Sequence, residues 1–324
     1  MDMAASDGPT LVNLPSNPVP EGGRVAMLET RDRVRLRYAT FPRIGEVNRG
    51  TVCLVQGRSE FIEKYFETIA DFQKRGFHVA TFDWRGQGGS ERLIRNPLRG
   101  YVESFEDYWQ DLASFHATVL LPDCPPPYYL VGHSMGGLVS LIAATRDRLM
   151  FDRVFVSAPM VALDRQLLGM SGMARLTEAF CFAGAGRLPV RRRGDELPSA
   201  ANFEGNPLTS DRARYLRAGE VLAAAPQLRI GAPTYRWSAS AFEAMAAAAS
   251  DGFPASLKIP VLMLAAARDQ VVSSAAIEQL GLRMRTGRHM MIAAARHELF
   301  MENDAIRAQV LAAFDAFITE QSEN

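Results

Sequence analysis

The chain has 324 residues, 48% of them hydrophobic and 22% charged, with a formal net charge of zero at pH 7. That length can bury a large core in one or two domains, and the neutral balance excludes a global field that would draw in nucleic acid or a membrane surface. Cys53, Cys124 and Cys181 show neither pairing nor metal-ligand spacing, so no metal is expected and a reducing compartment, the cytoplasm, is.

Residues 1–22, rich in Pro, Asn and Gly, read as a loose arm. Asp2 and Asp7, without a basic start or an apolar core, exclude a signal peptide. No apolar run reaches transmembrane length. Val25–Thr30 and Val34–Ala39 read as an antiparallel hairpin at a sheet edge. Thr51–Val55 is a fully apolar strand ending in Gln56-Gly57-Arg58-Ser59. A helix follows, with Phe61, Tyr65, Ile69 and Phe72 on one stripe, and Gly76 ends it. His78–Phe82 is the next strand, followed by Asp83-Trp84-Arg85-Gly86-Gln87-Gly88-Gly89-Ser90, read as a structural turn. Ser104 and Asp107 form a capping box for a helix that Pro122 should break.

Strand and helix thus alternate about every 30 residues, which predicts an α/β fold: a mostly parallel, doubly wound sheet. Tyr128–Val131 is the next strand, and Leu138–Thr145 the next helix. Between them stands Gly132-His133-Ser134-Met135-Gly136, a G-x-S-x-G turn. Such a turn holds a serine on a strained backbone above the sheet, and Gly132 and Gly136 clear space where strand and helix approach. After Val154–Val156 the alternation stops. Leu163–Phe253 reads as helical segments with Gly-rich joints and no strand. Val261–Leu264 resumes the sheet, His289–Ile292 is its last strand and Asp304–Thr319 a last helix. The expected division is an arm at 1–22, a core at 23–160 and 254–324, and a helical insertion at 161–253.

A serine needs a base, and there are five histidines. His133 lies inside the elbow, His78 and His289 in strands, and His116 in a helix. His297 alone occupies a loop after the last strand, where α/β sheets place their sites. Asp269, past the Val261 strand, stands between serine and histidine in chain order, as the orienting carboxylate should. Its bland role is a turn acid before Ser273 and Ser274.

These segments resemble the α/β-hydrolase superfamily, and within it the bacterial lysophospholipase and monoacylglycerol lipase branch, also grouped as serine-aminopeptidase-like hydrolases. The resembling pieces are Gly57-x-x-Glu60, Phe82–Ser90, Gly132–Gly137, Asp269-x-Val271-Val272 and Arg296-His297-Glu298-Leu299. Asn202–Thr209 and Gly231–Trp237 resemble the lysophospholipase branch. The resemblance implies Ser134 as nucleophile, His297 as general base and then acid, and Asp269 as its orienter. It implies the backbone N–H groups of Arg58 and Met135 as oxyanion donors, no cofactor, and a cap over Ser134 formed by the insertion. Gln56 stands where the family usually has histidine.

Leu167, Met170, Met173 and Phe180 belong to an apolar stretch of that insertion, followed by Arg187 and Arg191–Arg193. One reading is an acyl-chain pocket, or a lip in transient contact with a membrane surface. The other is a packed helix with a solvated basic loop. The expected function is a serine ester hydrolase on a small lipid ester, lysophospholipid or monoacylglycerol. An aminopeptidase or amidase on the same triad, and a non-catalytic binding protein, are the alternatives. Nothing in the sequence sets the oligomeric state.

Overall fold

The structure, a computed structural model, describes residues 8–164, 169–190 and 197–319. Strands β1 (Arg24–Glu29) and β2 (Arg35–Phe41) form the hairpin, with Arg24 opposite Thr40 and Glu29 opposite Arg35. β2 pairs antiparallel with β4 (His78–Phe82). All later pairings are parallel, through β3 (Thr51–Val55), β5 (Tyr128–His133), β6 (Arg153–Ser157), β7 (Val261–Ala266) and β8 (Gly287–Ile292). The eight strands lie in the order β1-β2-β4-β3-β5-β6-β7-β8. β3 and β7 are buried at every position. Successive side chains point to opposite faces, so both faces of the sheet are covered, and these strands carry continuous apolar runs rather than alternation.

Helix α1 (Phe66–Lys74) grows from a 3-10 turn at Ile62–Tyr65, and Gly76, at φ +86°, redirects the chain into β4. Its Phe72 meets Phe77, Phe300 and Phe314 edge to face in the core. The capping box on α2 (Phe105–Phe115) is formed: Ser104 Oγ accepts from Glu106 N–H and Asp107 from Ser104 N–H. Pro122 does not end this helix. The coil widens through a π turn at His116–Leu120 and runs on through Pro122 to Asp123.

Helix α3 (Ser134–Arg146) follows β5 without a break. Between β6 and β7 the described residues form α4 (Gly169–Phe180), α5 (Arg212–Ala224) and α6 (Tyr235–Ala249), with isolated bridges but no strand. α4 packs along α6, and α6 packs on α2 and α3. Helix α7 (Ser274–Arg283), capped by Ser273, fills the gap that the sequence left between β7 and β8. Helix α8 (Asp304–Thr319) closes the fold. Among the described helices none is long and apolar enough to cross a membrane.

The arm expectation needs correction from Gly8 onward. Asn17 is buried and donates to the Glu63 carbonyl at 2.9 Å, while Val12 N–H donates to the Glu63 carboxylate at 3.2 Å. Val12 and Leu14 pack beside Phe61, Val221 and Leu228. Tertiary partners hold a segment whose composition encodes no regular element.

Candidate active site

Three loops at the carboxyl ends of β5, β7 and β8 bring the site together. Ser134 sits at φ +51°, a left-handed conformation that a serine adopts only when its surroundings impose it. The surroundings do. A Cβ on Gly132 would lie 2.4 Å from Ser140 Oγ, and one on Gly136 would lie 2.4 Å from the Gln56 carbonyl. The elbow therefore folds this tightly only with glycine at both positions. Met160 N–H holds the Ser134 carbonyl at 2.9 Å.

His297 Nε2 lies 3.0 Å from Ser134 Oγ, and His297 Nδ1 lies 2.8 Å from Asp269 Oδ2. Ser134 is 7% exposed, His297 4%, and the Asp269 side chain fully buried. Burial pushes the Asp269 carboxyl up. The His297 N–H, with the N–H groups of Val271 and Val272 at 2.8 and 2.9 Å on Oδ1, outweighs burial and holds it below its ordinary value. Asp269 stays ionised and fixes the imidazole with Nε2 facing the serine. That is the geometry a base needs to take a hydroxyl proton. His133 lies beside His297 with ring centroids 4.9 Å apart and planes inclined by 54°, and burial brings its pKa down to about 4, so it stays neutral there. Its Nδ1 lies 3.1 Å from the Ser157 carbonyl, which makes it a support for the elbow.

The Gln56–Glu60 loop closes over the elbow. A Cβ on Gly57 would lie 3.1 Å from Ser134 Cβ. The N–H groups on either side of Arg58 are occupied: Gly57 N–H donates to Glu60 Oε2 at 2.5 Å and Ser59 N–H to Gln87 Oε1 at 2.7 Å. Among the described residues Arg58 N–H has no acceptor. Met135 N–H stands in the first turn of α3, where amides lack intrahelical partners. The two groups can serve a developing oxyanion. Gln56, in place of the histidine, is held at two points: its Nε2 donates to Thr81 Oγ1 at 3.0 Å, and Trp84 donates to its carbonyl at 2.8 Å, while its Oε1 is buried with no partner among the described residues.

A buried ion network joins the loops, and sequence reasoning missed it. Lys64 Nζ reaches Glu60 Oε1 at 2.7 Å and Glu298 Oε1 at 2.6 Å, and Tyr65 donates to Glu60 Oε2 at 2.8 Å. Burial opposes the charge on Glu60, but Lys64, His133 and Tyr65 bring its pKa down to about 2. Glu298 is raised, chiefly by burial. The Glu60–Lys64 spacing of four residues was the only local signal. Gln87 was missed as well: it lies in the turn after β4, read as structural, yet it supports Ser59 and lies 3.9 Å from Met135 Sδ.

The insertion docks on the His297 loop. Glu298 N–H donates to the Leu208 carbonyl at 2.8 Å, and Arg296 Nη1 donates to the carbonyls of Asn206 and Thr209. Met170 and Met173 pack against the main core, and Thr177 is buried on the same side of α4. Phe180 does not join them. It closes the last turn of α4, is 40% exposed and stacks on Tyr235 at 4.5 Å. Leu167 and Arg191–Arg193 lie outside the described residues.

The family model for serine aminopeptidase, S33, matches residues 46–304. Lysophospholipase L2 of Escherichia coli (strain K12) is 32% identical over 310 residues, covering 90% of this chain and 86% of that protein. The chain belongs to the serine aminopeptidase S33 family. A probable lysophospholipase L2 of Haemophilus influenzae is 26% identical over 302 residues, covering 91% of this chain and 92% of that protein. In fold, the chain resembles a soluble variant of monoglyceride lipase from Saccharomyces cerevisiae at TM-score 0.73 and 18% identity, covering 91% of this chain and 95% of that one. A monoacylglycerol lipase of Paleococcus ferrophilus gives 0.66 at 23% identity, covering 88% and 98%. This S33 protein is an α/β hydrolase of the lysophospholipase branch, a carboxylic ester hydrolase.

Proposed function

We propose that the protein cleaves the carboxylic ester of a single-chain lipid, a lysophospholipid or a monoacylglycerol, through an acyl-enzyme on Ser134. The observation that carries this reading is the unbroken relay from Ser134 Oγ through His297 to Asp269, at 3.0 and 2.8 Å, in a chain with lysophospholipase relatives. Ser134 Oγ attacks the ester carbonyl as its proton passes to His297 Nε2. The oxyanion receives the N–H groups of Arg58 and Met135. His297 returns the proton to the departing glycerol oxygen, then activates a water that frees the fatty acid and restores Ser134.

An aminopeptidase needs a free carboxylate for the substrate's amine. The buried acids beside the site, Glu60 and Glu298, are both committed to Lys64, which favours the ester reading. Phe182, 97% exposed, with exposed Leu176, Leu188 and Val190 on the same insertion, supports transient contact with a lipid surface. The unpaired cysteines support a reducing compartment, the cytoplasm. The test is twofold. A fluorophosphonate should label wild type and not Ser134→Ala. A panel of lysophospholipid, monoacylglycerol, diacyl lipid and aminoacyl amide should give its highest kcat/KM on one of the first two. Preference for the amide, or no labelling, sinks the proposal.

A further inference from the structure

Other buried or half-buried arginines of this fold have plain compensation. Arg37 lies 2.8 Å from Glu63 and 2.6 Å from Asp83, and Arg85 lies 2.6 Å from Asp111 and 2.7 Å from Asp32. Arg92 donates to four carbonyls, those of Gly86, Gly88, Gln227 and Arg229. Arg58 has much less. Its Nη1 donates to Ser59 Oγ at 3.0 Å and its Nη2 to the Gly231 carbonyl. Its Nε is buried with no partner among the described residues, and none of those residues offers it a carboxylate within ion-pair distance. Its Cζ rests 5.2 Å from the centre of the Trp237 ring. Burial pulls the guanidinium down to about 10, so it is still charged at neutral pH. Arg58 is half-buried, and its enclosed Nε is a charged donor left without a partner or a counter-charge, an arrangement that an anionic ligand would relieve.

The place of Arg58 identifies that ligand. It follows Gly57, the residue that faces Ser134 across the elbow. Its guanidinium is bordered by the carbonyl of Gly231 and by Gly100, where a Cβ would come within 2.6 Å of Nη2. We propose that the Arg58 guanidinium binds the phosphate of a glycerophospho head group whose acyl ester lies on Ser134. This rests on the ester-hydrolase reading above and narrows its substrate to lysophospholipid. The chain geometry matches. In a 1-acyl glycerophospholipid the phosphorus stands as many bonds from the ester oxygen as the guanidinium carbon stands from Arg58 Cα. The backbone N–H of Arg58 meets the ester while its side chain meets the phosphate, so one residue sets the register between them. A planar guanidinium suits two phosphate oxygens at once. A monoacylglycerol offers only a neutral hydroxyl at that place.

The experiment compares kcat/KM on 1-palmitoyl lysophosphatidylethanolamine and 1-palmitoylglycerol in matched mixed micelles, for wild type, Arg58→Lys and Arg58→Met. The readout is the ratio of the two substrates within each protein, so a loss at the oxyanion hole common to both cancels. Arg58→Met should lower the phospholipid-to-glyceride ratio about 10- to 100-fold, the value of a charge-assisted hydrogen bond or two, and Arg58→Lys should lower it less. Equal losses on both substrates would make Arg58 a clamp between the loop and the insertion, and would overturn the inference while the ester reading stands. If wild type cleaves neither lipid, the ester reading itself falls. A measurement free of variants guards against misfolding: sn-glycerol 3-phosphate should inhibit wild-type cleavage of a p-nitrophenyl ester at concentrations at least tenfold below glycerol. Equal inhibition overturns the inference.

Discussion

Replacing Lys64 with methionine tests the network that ties the oxyanion loop to the His297 loop. The Lys64, Glu60 and Glu298 side chains are 10%, 5% and 8% exposed, so solvent screens them little. Methionine fills the volume but leaves two buried carboxylates without their shared cation. Removing one partner of such a cluster costs about 3–5 kcal/mol. In wild type, the Glu60 carboxyl sits near 2, below its ordinary 4.5. Its contribution is therefore complete above the unfolded value and is lost as pH falls toward 2. In the variant the sign reverses. The paired carboxylates bind protons more tightly than in the unfolded chain, so the deficit is greatest at high pH and narrows on acidification. Urea unfolding at pH 8 and pH 5.5 should show a deficit larger at pH 8 by about 1 kcal/mol or more, near the value of one pKa unit. Because Glu60 also holds Gly57 N–H at 2.5 Å, kcat on an uncharged ester should fall about tenfold as the loop loosens. Unchanged stability, or the same deficit at both pH values, would refute the reasoning.

The remaining predictions concern the elbow, the relay and the exposed face of the insertion. Ser134→Ala should lower ester turnover by roughly 10⁴- to 10⁶-fold, and Asp269→Asn by about 10³-fold or more, each with an unchanged far-UV spectrum. Gly136→Ala places a Cβ 2.4 Å from the Gln56 carbonyl and 2.7 Å from that of Val55, so chemical denaturation should show a loss of about 1–3 kcal/mol, with kcat reduced as Ser134 shifts. Phe182→Asp should weaken co-sedimentation with phospholipid vesicles without altering turnover of a short soluble ester; equal sedimentation of variant and wild type would remove the lipid-surface role.

What could be read from the residues follows from which interactions are local. β3 and β7 stand out because parallel strands covered on both faces must be apolar at every position, and Val52–Val55 and Val261–Ala266 are. The elbow stands out because only glycine fits where β5 and α3 approach, so a backbone constraint is written directly as residue identity at 132 and 136. Helix α7 was illegible because only Ile277, Leu280 and Gly281 are buried in its ten residues, too narrow a stripe to show a period. The packing of residues 8–22 and the Lys64 network have a different cause. Asn17 meets Glu63, and Lys64 meets Glu298, across 46 and 234 residues of chain. Such pairs leave no periodicity in either partner's neighbourhood. They concern how the loops around Ser134 are held rather than which residues react. Sequence motifs thus point to the chemistry of this site, while long-range contacts of charged side chains such as Lys64 leave no such mark, and the head-group role proposed for Arg58 rests on contacts of the same kind. The substrate ratio for Arg58 and the pH-dependent deficit for Lys64 separate these two influences, because the first moves specificity at constant pH and the second moves stability on any substrate or none.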